Sequence, residues 1–158
     1  TFVYPGQVLI EGTNLSEGRG TTTPFEMIGA PFVSPDRLLS AISEYQLPGV
    51  RFLPIHFRPT FDKWSCQLCG GVSIHVTDID SFRPYETTLS LIRVIQSRWP
   101  DHFTWLPPPY EYETIKPPID IIGGDDRIRK GTAINELSRV DLHAWQKRTL
   151  NSLIYGLV

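Results

Sequence analysis

Cysteine is scarce in this chain, long apolar runs are missing, and neither sign of charge is gathered in one place. The only cysteines, Cys66 and Cys69, form one Cys-X-X-Cys. A structural zinc site takes four ligands, and no second cysteine pair or His-X3-His follows to complete it. A thioredoxin-like redox pair needs a helix after its first cysteine, whereas Gly70-Gly71 and a strand pattern follow here. The two thiols read as small, half-buried residues, and neither a metal nor any other cofactor is expected. No apolar stretch approaches the ~20 residues of a membrane span. The formal net charge is −2 and the isoelectric point is about 6.0. Lys and Arg are scattered, which leaves no electrostatic footprint for nucleic acid or an anionic membrane. Neither an initiator Met nor a signal-peptide pattern opens the sequence, so the expectation is a piece cut from a longer protein.

What is present is core material. Of 158 residues, 41% are hydrophobic, with four Trp, six Tyr and eight Phe, which excludes a disordered tail. At this length one domain over 1–158 buries ~68–70% of its unfolded surface. Val8, Leu9 and Ile10, after Pro5-Gly6, read as a short buried strand. Ser34-Pro35-Asp36 opens a helix that buries Leu38, Leu39 and Ile42 and stops by Pro48-Gly49. Phe52–Phe57 and Val72–Val76 read as strands, the second with Val72, Ile74 and Val76 on one face and Ser73 and His75 on the other. Arg83–Trp99 is a helix entered through Pro84, Asp125–Lys130 a short helix, and Arg139–Tyr155 a long one with Leu142, Trp145, Leu150 and Leu153 on an apolar face. No repeat and no internal boundary shows. The pattern predicts an α+β fold with a mixed or antiparallel sheet and helices packed mainly on one face.

The stretch from Glu11 to Thr23 carries chemistry that no core needs: two carboxylates, a guanidinium, an amide and five hydroxyls between three glycines. Gly12, Gly18 and Gly20 allow positive φ and expose amides, so the loop can close around a polar ligand. Glu11 and Glu17 are candidates for the carboxyl pair of a glycosidase. The bland alternative is that Arg19 pairs with a glutamate and braces the loop. His56 and His75 each lie on a strand, opposite the neighbouring aliphatics; His75 is the better candidate to donate to a sugar hydroxyl or orient a carboxylate. Trp64, Trp105, Tyr110 and Tyr112 offer rings for stacking on a pyranose, although Trp105, before Pro107-Pro108-Pro109, reads most simply as core or packing. Tyr110-Glu111-Tyr112-Glu113 alternates so that both tyrosines share a face of an arm stiffened by Pro107-Pro108-Pro109.

The segments EGTNLSEGRGTTTPFEMIGAPF, FRPTFDKW, CGGVSIHVTD, SFRPYETTL, PPYEYE and PIDIIGGDDRIR, in that order along nearly the whole chain, resemble the exo-β-N-acetylmuramidase (NamZ) family. The resemblance implies a glycoside hydrolase that removes N-acetylmuramic acid from the non-reducing end of peptidoglycan fragments, outside the cytoplasm. It covers only the family's second domain, so a Rossmann-like N-terminal domain, absent here, is the expected partner and is expected to hold the principal catalytic glutamate. On this reading Glu11, Glu17, Asn14 and Arg19 line one wall of an interdomain cleft, with Thr21, His75, Tyr110 and Tyr112 as further substrate contacts. Arg19 then matches the lactyl carboxylate of muramic acid bidentately. Two other readings are a cell-wall carbohydrate-binding module without chemistry and a self-sufficient hydrolase using Glu11 and Glu17.

Overall fold

The computed structural model describes residues 2–139 and 141–152. A three-stranded antiparallel sheet has the order β1 (Met27–Ala30), β3 (Cys69–Val76), β2 (Val50–Phe57). Helices are α1 (Tyr4–Gln7), α2 (Pro35–Ile42), α3 (Pro84–Arg98), α4 (Pro118–Ile122), α5 (Arg127–Lys130), α6 (Ile134–Leu137) and α7 (Leu142–Thr149), with 3-10 turns at Val8–Gly12 and Leu150–Ser152. The fold is α+β.

Register assigns the faces. Ile28 pairs with Val72 and Ala30 with Gly70, while Val50 and Phe52 pair with Val76 and Ile74. This face meets α2, whose Leu38, Ala41 and Ile42 are buried on it, and α3 packs against α2 with Leu91, Ile92 and Ile95 buried. Behind α3 lie α1 and the first 3-10 turn, which also packs on α4. The opposite face exposes Arg51 and His75 at one end and buries Phe57 and Cys69 at the other. Burial pushes the Cys69 thiol up to about 11. β2 is an edge strand, where Pro54 removes a donor that a further strand would use.

Three expectations give way. Val8–Ile10 is not a strand: Pro5 sits in the first turn of α1, and the chain runs on into the 3-10 turn with Leu9 and Ile10 buried. Three consecutive apolar residues carry no period, so a buried helical turn and a buried strand look alike in sequence. Ser34 precedes α2 without a side-chain cap bond. His56 and His75 each lie opposite their flanking aliphatics as expected, on opposite faces of the sheet, since His56 pairs with Gly70 and His75 with Arg51. The last helix starts at Leu142, where Asp141 accepts from the amide of Ala144, and passes into a 3-10 turn at Leu150. Trp145 and Leu150 on its apolar side are exposed, and residues 140 and 153–155 of that expected helix lie outside the described residues.

The centre of the sheet depends on close backbone approach. A Cβ on Gly71 would overlap the carbonyl oxygen of Ile28 across the β1–β3 pair. Gly71→Ala is therefore expected to cost about 1–3 kcal/mol or more, as overpacking of a tight core does, read as a lower urea midpoint of unfolding.

Candidate functional site

The polar stretch of residues 11–23 is held between the sheet and the segment after α3. Thr13 bridges to Trp105 and Ser16 to Gly29. Asn14 is fully engaged by backbone: Nδ2 donates to His102 O at 2.8 Å and Oδ1 accepts from Thr104 N at 3.0 Å. Gly18 and Gly20 take φ of +81° and +79°, and a Cβ on Gly20 would lie 2.7 Å from Thr60 N. Gly12 serves differently, as part of the 3-10 turn, where Ile119 backbone closes on it.

This framework brings Glu11, Glu17, Arg19 and Tyr110 together. Arg19 Nε donates to Glu17 Oε1 at 2.9 Å, and its Nη2 donates to Glu11 Oε1. Tyr110 Oη donates to Glu11 Oε2 at 2.9 Å. Glu17 is only 1% exposed, and its second oxygen lies 2.8 Å from Lys63 Nζ. The same ammonium donates to the carbonyls of Ile10 at 3.0 Å and Thr13 at 3.2 Å. Two charges of each sign thus interlock, with Asp62 Oδ2 a further 3.7 Å from Arg19 Nε. The hydrogen bond from Arg19 to Glu11 is the main cause that raises the guanidinium above its ordinary value. Burial first, and then donation to Glu11, push the Tyr110 phenol up to about 12.

Arg19 uses two of its five N–H bonds on the glutamates. The other three make no hydrogen bond among the described residues, and the side chain is 39% exposed. Its Cζ lies over the Phe25 ring, 5.0 Å from the centroid, and Tyr4 meets that ring edge-on at 4.9 Å. The guanidinium is fixed from behind and open outward.

Backbone strain gathers around the same cluster. Among the described residues, positive φ outside glycine occurs at Phe25, Asp62, Trp64, Cys66 and Glu111. Phe25 carries Arg19, Asp62 and Trp64 flank Lys63, Cys66 N closes that loop on Pro59 O, and Glu111 follows Tyr110. Such residues cost roughly 1–3 kcal/mol each, persist only where the surroundings over-determine them, and concentrate at ligand sites.

The remaining candidates stand apart from the cluster. Thr21 turns back on its own loop, donating to Gly18 O at 2.6 Å. His75 is exposed and shares a 2.7 Å hydrogen bond with Ser73. It lines a cavity of about 200 Å³ with Phe2 and Glu26, next to one of about 170 Å³ bounded by Tyr4 and Phe25. Tyr112 does not share a face with Tyr110. Residues 110 and 113 exchange both backbone hydrogen bonds in a tight turn, and Tyr112 is 99% exposed. Trp64 is spent on structure, its indole N–H donating to Asn14 O at 2.6 Å. Among the described residues no group of three or more His, Cys, Asp or Glu is arranged to hold a metal ion. Sequence reasoning missed Lys63 and Phe25, although the first stands in Phe61-Asp62-Lys63-Trp64 and the second follows Thr23-Pro24.

An α+β domain carrying an ion-paired, strained polar site on a glycine-bearing loop is the class that fold and site define. The chain belongs to the family described as exo-β-N-acetylmuramidase NamZ, C-terminal, whose model it matches over residues 2–155. It is 51% identical over 106 residues to the peptidoglycan β-N-acetylmuramidase NamZ of Bacillus subtilis (strain 168), an alignment that covers 67% of this chain and 26% of that protein. The fold matches a crystal structure of a DUF1343 family protein from Bacteroides fragilis with a TM-score of 0.77 at 22% identity, over 98% of this chain and 42% of that one. A second such protein of the same organism gives 0.56 at 20% identity, over 98% and 40%. This chain therefore spans well under half the length of these relatives.

Two outcomes test the cluster. Lys63→Met leaves the buried Glu17 with one cation and is expected to cost about 3 kcal/mol, at the low end for a broken buried pair. Adding Glu17→Gln should restore part of that loss in urea unfolding, because neighbouring charges are not additive. For Tyr110, a folded-state value raised to about 12 above an unfolded value near 10 means that its contribution is complete below about pH 10. That contribution is lost as pH climbs through the folded value. Phenolate absorbance of the native protein should show a late-ionising component, to which buried Tyr85 also contributes, that Tyr110→Phe reduces by one tyrosine.

Proposed function

We propose that this chain is the C-terminal domain of a two-domain peptidoglycan β-N-acetylmuramidase and forms one wall of the cleft that receives a non-reducing-end N-acetylmuramic acid. The observation that carries this reading is the Arg19 guanidinium, locked from behind by Glu11 and Glu17 with its outer edge open. A fixed guanidinium fork suits a carboxylate bidentately, and the lactyl group distinguishes muramic acid from other amino sugars by a carboxylate. The partner is the protein's own Rossmann-like N-terminal domain, which supplies the principal catalytic glutamate. The enzyme works outside the cytoplasm, where its polymer lies. His75 and Tyr112, exposed beyond the cluster, are substrate contacts once the second domain closes the cleft.

The self-sufficient hydrolase is the weaker reading. All four oxygens of Glu11 and Glu17 face Arg19, Lys63 or Tyr110, so neither carboxylate is placed to deliver a proton or attack a sugar carbon.

The isolated chain is expected to fold yet hydrolyse no chromogenic muramic acid glycoside at a rate near that of the two-domain protein. In the latter, Arg19→Gln should raise KM for the glycoside about tenfold or more, the scale of a lost charge-assisted bond of about 1.5–3 kcal/mol. The glycoside's lactyl amide should be affected little. Equal loss on both substrates would make Arg19 a brace alone, and turnover by the isolated chain would restore Glu11 and Glu17 as a catalytic pair.

A further inference from the structure

Away from the Arg19 cluster, and sharing no residue with it, a cavity of about 420 Å³ opens between the start of α3, the Gly123 end of α4, α5 and the end of α6. This is within the ~300–1,000 Å³ range of small-ligand sites. Pro84, Tyr85 and Leu137 give it an apolar wall. Several of its polar groups are unengaged among the described residues. Among the described residues, buried Ser138 Oγ has no hydrogen-bond partner, and neither has the Tyr85 phenol, which burial pushes above its ordinary value. Arg83 makes no side-chain cap bond to α3, and beyond Pro84, which has no N–H, the amides of Tyr85 and Glu86 have no side-chain acceptor among the described residues. Arg127 is held in place by Asp125, which accepts from Nε at 2.7 Å, leaving the outer guanidinium nitrogens unengaged among the described residues. Arg83 also lines the cavity, though its Nη1 is occupied by the carbonyls of Asp80 and Phe82. Glu86 brings a single carboxylate with no cation partner among the described residues.

A site with a tethered guanidinium, a helix start, one unpaired carboxylate, two idle hydroxyls and an apolar wall is complementary to a molecule with both charges and a short apolar body. We propose that this cavity binds a short peptide with free ends, its carboxylate on Arg127 and the start of α3, its ammonium on Glu86, and its side chains against Tyr85 and Leu137. A simple anion fits less well, because Glu86 would repel it; a neutral sugar would leave the guanidinium and the carboxylate unanswered.

The probe is alanyl-alanine, titrated into the ¹⁵N-labelled 158-residue chain and followed at the backbone amides of Tyr85, Glu86, Arg127 and Ser138. Saturable shifts are expected there, with alanyl-alanine amide about tenfold weaker or more. Arg127→Ala should weaken alanyl-alanine and erase its advantage over the amide. Glu86→Gln should erase its advantage over N-acetyl-alanyl-alanine. Arg127 is exposed and Glu86 half-buried, and an unchanged amide spectrum elsewhere certifies the fold of each variant. The proposal is overturned if no saturable shift occurs at these amides, if acid and amide bind alike, if the shifts map to the Arg19 loop instead, or if the unliganded spectrum shows the C-terminal residues filling the cavity.

Discussion

A buried carboxylate is expensive to desolvate, and the cost of Glu17 organises much of this domain. At 1% exposure it is tolerable only with opposite charge at hand, supplied by Arg19 on one oxygen and Lys63 on the other. Those cations come from different segments. Lys63 ties the β2–β3 loop to the carbonyls of Ile10 and Thr13, and Arg19 reaches Glu11 in the first 3-10 turn. Glu11 in turn accepts from Tyr110 and secures the turn of residues 110–113. Several stretches without regular structure are thus fixed in one arrangement by a single charge.

Such a network adds little net stability over a packed apolar core, because Coulomb attraction and desolvation nearly offset each other. What it supplies is a guanidinium that has already lost its rotational freedom, so a ligand carboxylate need not pay for ordering it. The positive-φ residues around the cluster carry the same cost and serve the same end, since Phe25 in that conformation puts its ring under Arg19. A sheet whose Cys69, Val72 and Ile28 are fully buried gives the loop a rigid base on β1, through the Ser16–Gly29 bridge.

Sequence was informative where a period or a strong local signal existed. The alternation of Val72, Ile74 and Val76 identified β3, and Pro84 with the helical spacing of Leu91, Val94 and Ile95 located α3 almost to the residue. The charge density of residues 11–23 marked the site, and the bracing of a glutamate by Arg19 was already one reading of it. Other features were hidden because they depend on contacts far apart in sequence. Nothing local distinguishes Lys63, 46 positions from Glu17, from a solvated lysine. Asn14 looks like a ligand group until residues 102–104 claim both ends of its amide. Alternation at Tyr110-Glu111-Tyr112-Glu113 imitates a strand, whereas reciprocal bonds fold it into a turn.

The central claim is that Arg19 is a fixed receptor for a substrate carboxylate rather than a brace alone. A crystal structure of the two-domain protein with N-acetylmuramic acid bound tests it most directly. The lactyl carboxylate is expected on the outer guanidinium edge, within hydrogen-bond reach, with the Arg19 contacts to Glu11 and Glu17 unchanged. A bound sugar whose carboxylate is held elsewhere, with Arg19 touching only its two glutamates, would contradict it.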